Sequence, residues 1–217
     1  MRECSFSQRP GQSPDLPVSR RWPSLTFCFI CLFVVHAISY SQSDLAQQAG
    51  ALMEAGRFHE AEALWRELTE SQPRNASAHA SLGLAMARQG EFSDAAVEYR
   101  KALALHPNQP EISFDLGLAE FKLGHFAEAI APFKSAGAAN VKDSRIPVLL
   151  GMSYFGLHQY ANAIPYLQMA SNADPANLEI LSVLAKSCLW SRNYQCALAE
   201  FKRILNVKQC MLRLRNK

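Results

Sequence analysis

The sequence predicts an all-α fold of about five stacked helix pairs, and three features of the chain support this prediction. The first is a repeat of 34 residues that continues without insertion or deletion. A repeat of this length is typical of a small helical unit that buries its apolar face by stacking on its neighbours. The second and third features are columns of small and of aromatic residues that recur at the same period.

Two columns contain only small residues and one contains only aromatic residues. The first small column is Ala49, Gly83, Gly117, Gly151 and Ala185. The second small column is Ala61, Ala95, Ala129, Ala163 and Ala197. The aromatic column is Phe58, Phe92, Phe126, Tyr160 and Tyr194. We expect the two small columns to face each other inside each helix pair, where they let two helix backbones approach closely.

Within each repeat the order of residues predicts two antiparallel helices. Apolar residues at helical spacing come first, as in residues 81–87. Gly56, Gly90 and Gly124 follow in the first three repeats, and glycine supplies the left-handed conformation that ends many helices. The aromatic residue two positions later opens the second helix, which closes before a proline such as Pro107.

These residues resemble the tetratricopeptide repeat, whose pattern is leucine-glycine, tyrosine, alanine, phenylalanine, alanine and proline. The second unit matches it with Leu82-Gly83, Ala95, Tyr99, Ala102 and Pro107. The third unit has Val141 in place of the proline, and the first and fifth units have alanine in place of the glycine. We place the units at 42–75, 76–109, 110–143, 144–177 and 178–211, followed by a short basic tail at 212–217.

The resemblance implies a superhelical α-solenoid and a non-enzymatic role in binding proteins. In this family the first helices line a concave groove. The corresponding apolar residues here are Leu84, Phe114, Leu118, Phe121, Val148, Met152, Phe155 and Leu189. Such a lining suits an apolar peptide or an amphipathic helix. The alternative is that these side chains only fill the groove by packing on one another.

Some members of this family hold an acidic peptide C-terminus with a clamp of lysines and asparagines. The matching positions here are Ala46, Gly50, Ser81, Glu111 and Asp115. Because none of them is a lysine or an asparagine, the resemblance does not extend to that clamp.

The first 41 residues do not follow the repeat and have the layout of an export signal. A polar segment at 1–24 precedes an apolar segment at 25–35, and small residues near 39–41 suggest a cleavage site. The alternatives are an uncleaved membrane anchor over 25–40 and a buried helix. With a signal the repeats are periplasmic or secreted, and with an anchor they face the extracytoplasmic side of the membrane.

Charge and motifs exclude several classes of function. Residues 42–207 hold 14 Lys and Arg against 17 Asp and Glu, so no basic surface for nucleic acid is expected. We find no catalytic or metal-binding motif, and we expect no enzymatic activity, no small-molecule substrate, no cofactor and no metal. Acidic residues are expected on an exposed, solvated face, for example Glu60, Glu62, Glu67 and Glu70.

Two features near the C-terminus leave alternatives open. Cys188 and Cys196 lie at similar distances from the turn of the fifth unit, so they either form a disulfide or remain two buried thiols. No capping helix pair follows the fifth unit, and the apolar residues Phe201, Ile204, Leu205 and Val207 are expected to form an uncapped flank.

We therefore expect a scaffold outside the cytoplasm that binds a protein or peptide in its groove. Two alternatives remain. One is a structural subunit of an envelope complex that assembles, possibly with itself, through the uncapped flank. The other is a truncated fragment of a larger tetratricopeptide protein, the active part of which lies elsewhere.

Overall fold

The fold is given by a computed structural model that describes residues 44–138 and 143–215, with side chains as far as 213. Every regular element within these ranges is an α-helix. The helices are α1 (44–54), α2 (Phe58–Ser71), α3 (Ala76–Gln89), α4 (Phe92–Leu105), α5 (Pro110–Lys122), α6 (Phe126–Ala138), α7 (Arg145–Gly156), α8 (Tyr160–Ala173), α9 (Leu178–Trp190) and α10 (Tyr194–Arg215). The all-α prediction is confirmed.

The turns inside the pairs show why the chain reverses at regular intervals. Gly56, Gly90 and Gly124 have φ values of +74°, +87° and +77°, in the left-handed region that glycine adopts without strain. His158 and Arg192 occupy the same position in the last two pairs, with φ values of +59° and +63°. The backbone conformation of the turn is therefore kept where its preferred residue is not.

Each pair is held together by the close approach of the two small columns. All five alanines of the second column are buried, from Ala61 to Ala197. A Cβ atom added at Gly117 would lie 2.7 Å from the ring of Phe133, and one added at Gly151 would lie 2.6 Å from Leu167. The glycines therefore leave the space that the large side chain of the partner helix fills.

The pairs stack in chain order, and the apolar core is divided among three clusters. The first has its centre around Tyr99, the second around Phe133 and the third around Leu167. Each second helix contacts the first helix of the following pair, as α4 contacts α5 and α8 contacts α9. The following pair contributes residues such as Leu184 of α9 to the cluster of the preceding one.

Some carboxylates are buried in this core, which corrects one expectation. Glu62 was expected on an exposed face, but it is only 8% exposed. Arg66 donates a hydrogen bond of 2.6 Å to one of its oxygens, and Gln89 donates one of 2.7 Å to the other. Because Gln89 lies on a different helix, the repeat pattern alone does not reveal this pairing.

The last helix is longer than the others and carries the predicted tail. α10 continues through Arg215, so residues 212–215 are helical and do not form a separate tail. A disulfide joins Cys188 of α9 to Cys196 of α10, with 5.6 Å between their Cα atoms. The fifth pair is therefore linked covalently as well as by packing.

Two expectations about membranes and export fall outside this description. No helix among the described residues is long and apolar enough to span a bilayer. The export signal at 1–41, with its apolar segment at 25–35, lies outside the described residues.

Candidate binding groove

A cavity of about 510 Å³ opens where the first helices of successive pairs lie side by side. α3 and α5 contact each other here, and the start of α7 completes the wall. Three of the predicted groove residues line it, namely Leu84, Phe114 and Leu118. The cavity is the part of the predicted groove that has a definite shape.

Phe114 forms a fixed wall of this cavity. Its side chain is only 7% exposed, and its ring packs against that of Phe133 with 5.8 Å between centroids. The guanidinium of Arg145 lies over the Phe114 ring at 4.5 Å, a distance that favours a cation–π interaction. Leu84 and Leu118 are half-buried and so remain more accessible.

The other predicted groove residues lie outside the lining of this cavity. The Phe121 ring packs on Phe126 at 5.4 Å, and the Phe155 ring packs on Tyr160 at 5.6 Å and on Trp190 at 5.4 Å. Val148 and Met152 are half-buried. Leu189 is 41% exposed. The structure therefore divides the predicted groove into a shaped cavity and a second set of aromatic contacts.

The cavity contains charges that the apolar interpretation missed. Asp115 is half-buried and lies among Arg88, Arg145 and Glu111. Arg145 is bound to Asp143, because its Nε and Nη2 atoms donate hydrogen bonds of 2.9 and 2.6 Å to the two carboxylate oxygens. Within the described ranges, no hydrogen bond to the Asp115 carboxylate is found. The cavity therefore offers an acceptor that its own walls do not satisfy.

One sequence signal could have revealed these charges. Glu111 and Arg145 occupy the same position in consecutive repeats, one helical turn before Asp115 and Leu149 respectively. Side chains four residues apart lie on the same face of a helix. A search of the turn before each groove residue would therefore have found Glu111 and Arg145.

The state of Asp115 gives a testable dependence on pH. Burial raises the pKa of this carboxyl above its usual value and Glu111 adds to the effect, while Arg88 and Arg145 oppose it. A raised pKa in the folded state means that the ionised carboxylate lowers stability near pH 7, and that this loss disappears below about 3.8, the usual value, where both states are protonated.

We therefore expect Asp115→Asn to raise the unfolding midpoint at pH 7, and the gain to shrink as the pH falls. Thermal unfolding of both proteins across a pH series measures this. A lower midpoint for Asp115→Asn at pH 7 would show instead that Arg88 and Arg145 hold the carboxylate.

A second charged cavity, of about 540 Å³, differs because its buried groups are bonded to one another. The ring nitrogens of His79 lie 2.7 Å from Glu98 Oε2 and 3.0 Å from the carbonyl oxygen of Pro73. Lys101 donates a hydrogen bond of 2.7 Å to the other Glu98 oxygen. These groups connect α3 to α4, so we assign them a structural role.

No cluster of side chains suited to a metal ion is found in the part of the chain that the structure describes. The positions of the family's lysine and asparagine clamp include Ser81 on α3 and Glu111 and Asp115 on α5. Glu111 and Asp115 give this part of the groove acidic side chains where the clamp would have basic or amide ones.

Comparison with known proteins agrees with this architecture. The family model that matches is the tetratricopeptide repeat, over residues 47–110 and 87–141. A solved structure of MamA from Desulfovibrio magneticus RS-1 is 21% identical, covers 78% of this chain and 96% of its own, and gives a TM-score of 0.67. A structure of MamA AMB-1 is 19% identical, with coverages of 79% and 93% and a TM-score of 0.72. At these identities the likeness shows the fold. No curated protein matches the chain.

Proposed function

The chain belongs to the tetratricopeptide repeat family and is a protein-interaction scaffold, and we propose that the cavity between α3 and α5 holds an apolar segment of a partner protein. The observation that carries this proposal is the combination of a fixed aromatic wall with an unsatisfied acceptor in one cavity. Pockets that bind ligands are mostly apolar with a few well-placed polar groups.

The apolar part of the cavity supports a segment with large aliphatic or aromatic side chains. Phe114 is held by Phe133 on one side and by Arg145 on the other, so its position is fixed before any partner arrives. A fixed wall lowers the entropy lost on binding. Leu84 and Leu118 supply accessible apolar surface beside it.

The charged part of the cavity supports a segment that also carries a donor. Asp115 accepts from a backbone N–H of an extended peptide or from a lysine or arginine side chain. Arg145 does not compete strongly, because Asp143 already pairs with its guanidinium. We propose that the partner segment is an apolar peptide or amphipathic helix with such a donor opposite Asp115.

A site-specific photo-cross-linker at position 118 tests this proposal in the cell of origin. We expect it to capture one partner polypeptide, which mass spectrometry then maps to an apolar segment. The matched control is the same group at Ser135, an exposed position on α6. Capture that is equal at both positions, or absent at 118, would contradict the proposal.

With the segment identified, a pair of apolar truncations sharpens the test. Leu118→Ala should weaken binding of the segment by about 2 kcal/mol, the scale of an interface anchor. Val97→Ala removes an apolar side chain that is 45% exposed on α4, outside the cavity lining, and should leave binding unchanged. Isothermal titration calorimetry measures both, and equal losses would place the segment elsewhere.

We also propose that the scaffold works outside the cytoplasm. The support is the layout of residues 1–41, and a disulfide between Cys188 and Cys196 suits an oxidising compartment. N-terminal sequencing of the protein from its native cell tests this, with a mature chain expected to begin near Tyr40 or Gln42. A chain that still contains residues 25–35 favours the membrane anchor, and fractionation with the cytoplasm contradicts export.

A further inference from the structure

The outer face of α10 exposes an apolar stripe that the earlier pairs cover. Phe201 occupies the position of Tyr99, Phe133 and Leu167 in the preceding repeats. Those three side chains are 1%, 0% and 0% exposed, whereas Phe201 is 41% exposed. Leu198 and Leu205 lie one turn away on either side and are both 58% exposed. We call these three residues, Leu198, Phe201 and Leu205, the α10 stripe.

The covering element in the earlier pairs is always a helix. α5 covers α4 with Ile112 and Leu116, which belong to the same cluster as Tyr99. α7 covers α6 in the same way, with Ile146 and Leu150 in the cluster of Phe133. The α10 stripe therefore has the shape that accepts a helix with apolar residues four positions apart.

A charge contact accompanies this packing and indicates what the covering helix carries. Arg100 of α4 forms an ion pair with Glu120 of α5, four residues after Leu116. Lys202 of α10 occupies the position of Arg100 three repeats later. Lys202 forms no ion pair within the described residues, nor do the exposed Lys208 and Arg213 on the same helix.

The charge of α10 also argues against pairing with a second copy of itself. The helix holds five basic residues and one acidic residue, Glu200, which is already bonded to Arg203 at 2.8 Å. Two such helices placed side by side would repel each other.

Head-to-tail stacking of two copies is disfavoured by α1. Its residues at the positions of Ile112 and Leu116 are Asp44 and Gln48, both exposed and joined by a hydrogen bond of 2.9 Å. A polar face of this kind cannot replace the apolar face of α5 over Phe201, because its polar groups would lose water without gaining partners.

We propose that the α10 stripe is a second docking surface, which binds an acidic amphipathic helix of a partner protein. That helix carries apolar residues at two positions four apart, to cover Phe201, and a glutamate or aspartate four positions further on, to pair with Lys202. This surface is separate from the cavity of α3 and α5, so the proposal does not depend on the function assigned to that cavity.

The probe that tests it is a synthetic peptide with the sequence of residues 110–122, which contains Ile112, Leu116 and Glu120. We expect the full chain to bind this peptide, measured by fluorescence anisotropy. Lys202→Glu should weaken binding at least about tenfold, and a peptide with Glu120→Lys should restore it on that variant. Phe201→Asp should abolish binding while the unfolding midpoint stays close to that of the unmodified chain.

Three results would overturn the proposal. The first is that the unmodified chain does not bind the peptide. The second is binding that Lys202→Glu and Phe201→Asp leave unchanged, which would place the peptide elsewhere, for example in exchange for the chain's own α5. The third is a dimer in light scattering that Phe201→Asp dissociates, because the stripe would then be covered by a second copy.

Discussion

Gly117→Leu is expected to lower the free energy of unfolding by about 3 kcal/mol or more, the upper end of the range for overpacked cores. A Cβ atom at this position already lies 2.7 Å from two ring carbons of Phe133, and that ring is fully buried against Ile146 and Leu150. The ring cannot move outwards because α7 covers it. Chemical denaturation of the variant, followed by circular dichroism, measures the loss.

The matched control is Gly50→Ala, which also places a side chain on a helical glycine. No atom lies within 4 Å of a Cβ built at Gly50. The change should therefore stabilise the protein by up to about 1 kcal/mol, since alanine is the better helix former. If Gly117→Leu unfolds at the same denaturant concentration as the unmodified chain, the close crossing of α5 and α6 is wrong.

The second large effect is expected from the buried carboxylate of Glu120. Its side chain is 2% exposed and is bonded to Arg100 and, at 2.9 Å, to His125. Arg100→Ala should cost about 2–3 kcal/mol, because it leaves a buried charge with one partner. This is less than for a fully buried pair, since the Arg100 side chain is 53% exposed.

Glu120→Met should have the opposite outcome. Methionine is the residue that the preceding repeat has at this position, where Met86 is 4% exposed. Replacing a buried ion pair by an apolar side chain of similar volume is often neutral or stabilising by about 1–4 kcal/mol. The two variants are compared by urea unfolding at pH 7. A large loss for Glu120→Met would show that the ion pair, and not the packing, holds α4 to α5.

The sequence carried most of the fold because the fold depends on contacts that repeat. Each glycine or alanine of one small column meets its partner in the same pair, and the period of 34 residues brings the same meeting back. Pairs of this kind can be found by aligning the chain with itself. The reversal at His158 and Arg192 could also be placed in this way, although neither residue favours a left-handed turn.

The candidate sites were less accessible to sequence because they depend on contacts that occur once. Phe114 was predicted to line a groove, and it does line the cavity, but its size also takes it into the core against Phe133. The previous repeat has the small Ala80 at that position, so the column does not reveal the difference. The pairing of Glu62 with Gln89 joins two units across 27 positions and follows no column.

The division of the core into three clusters has a consequence for how the molecule opens. α5 contributes Leu116 to the first cluster and Phe114 to the second, so only a few residues connect the two. In a linear array each unit is stabilised by its neighbours alone, and amide hydrogens exchange through local openings that stop where such clusters meet. The pair α9 and α10 has a neighbour on one side, and its disulfide makes the two helices open as one unit. Amide protection should therefore decline in steps along the chain towards α10, the same helix that carries an uncovered apolar surface.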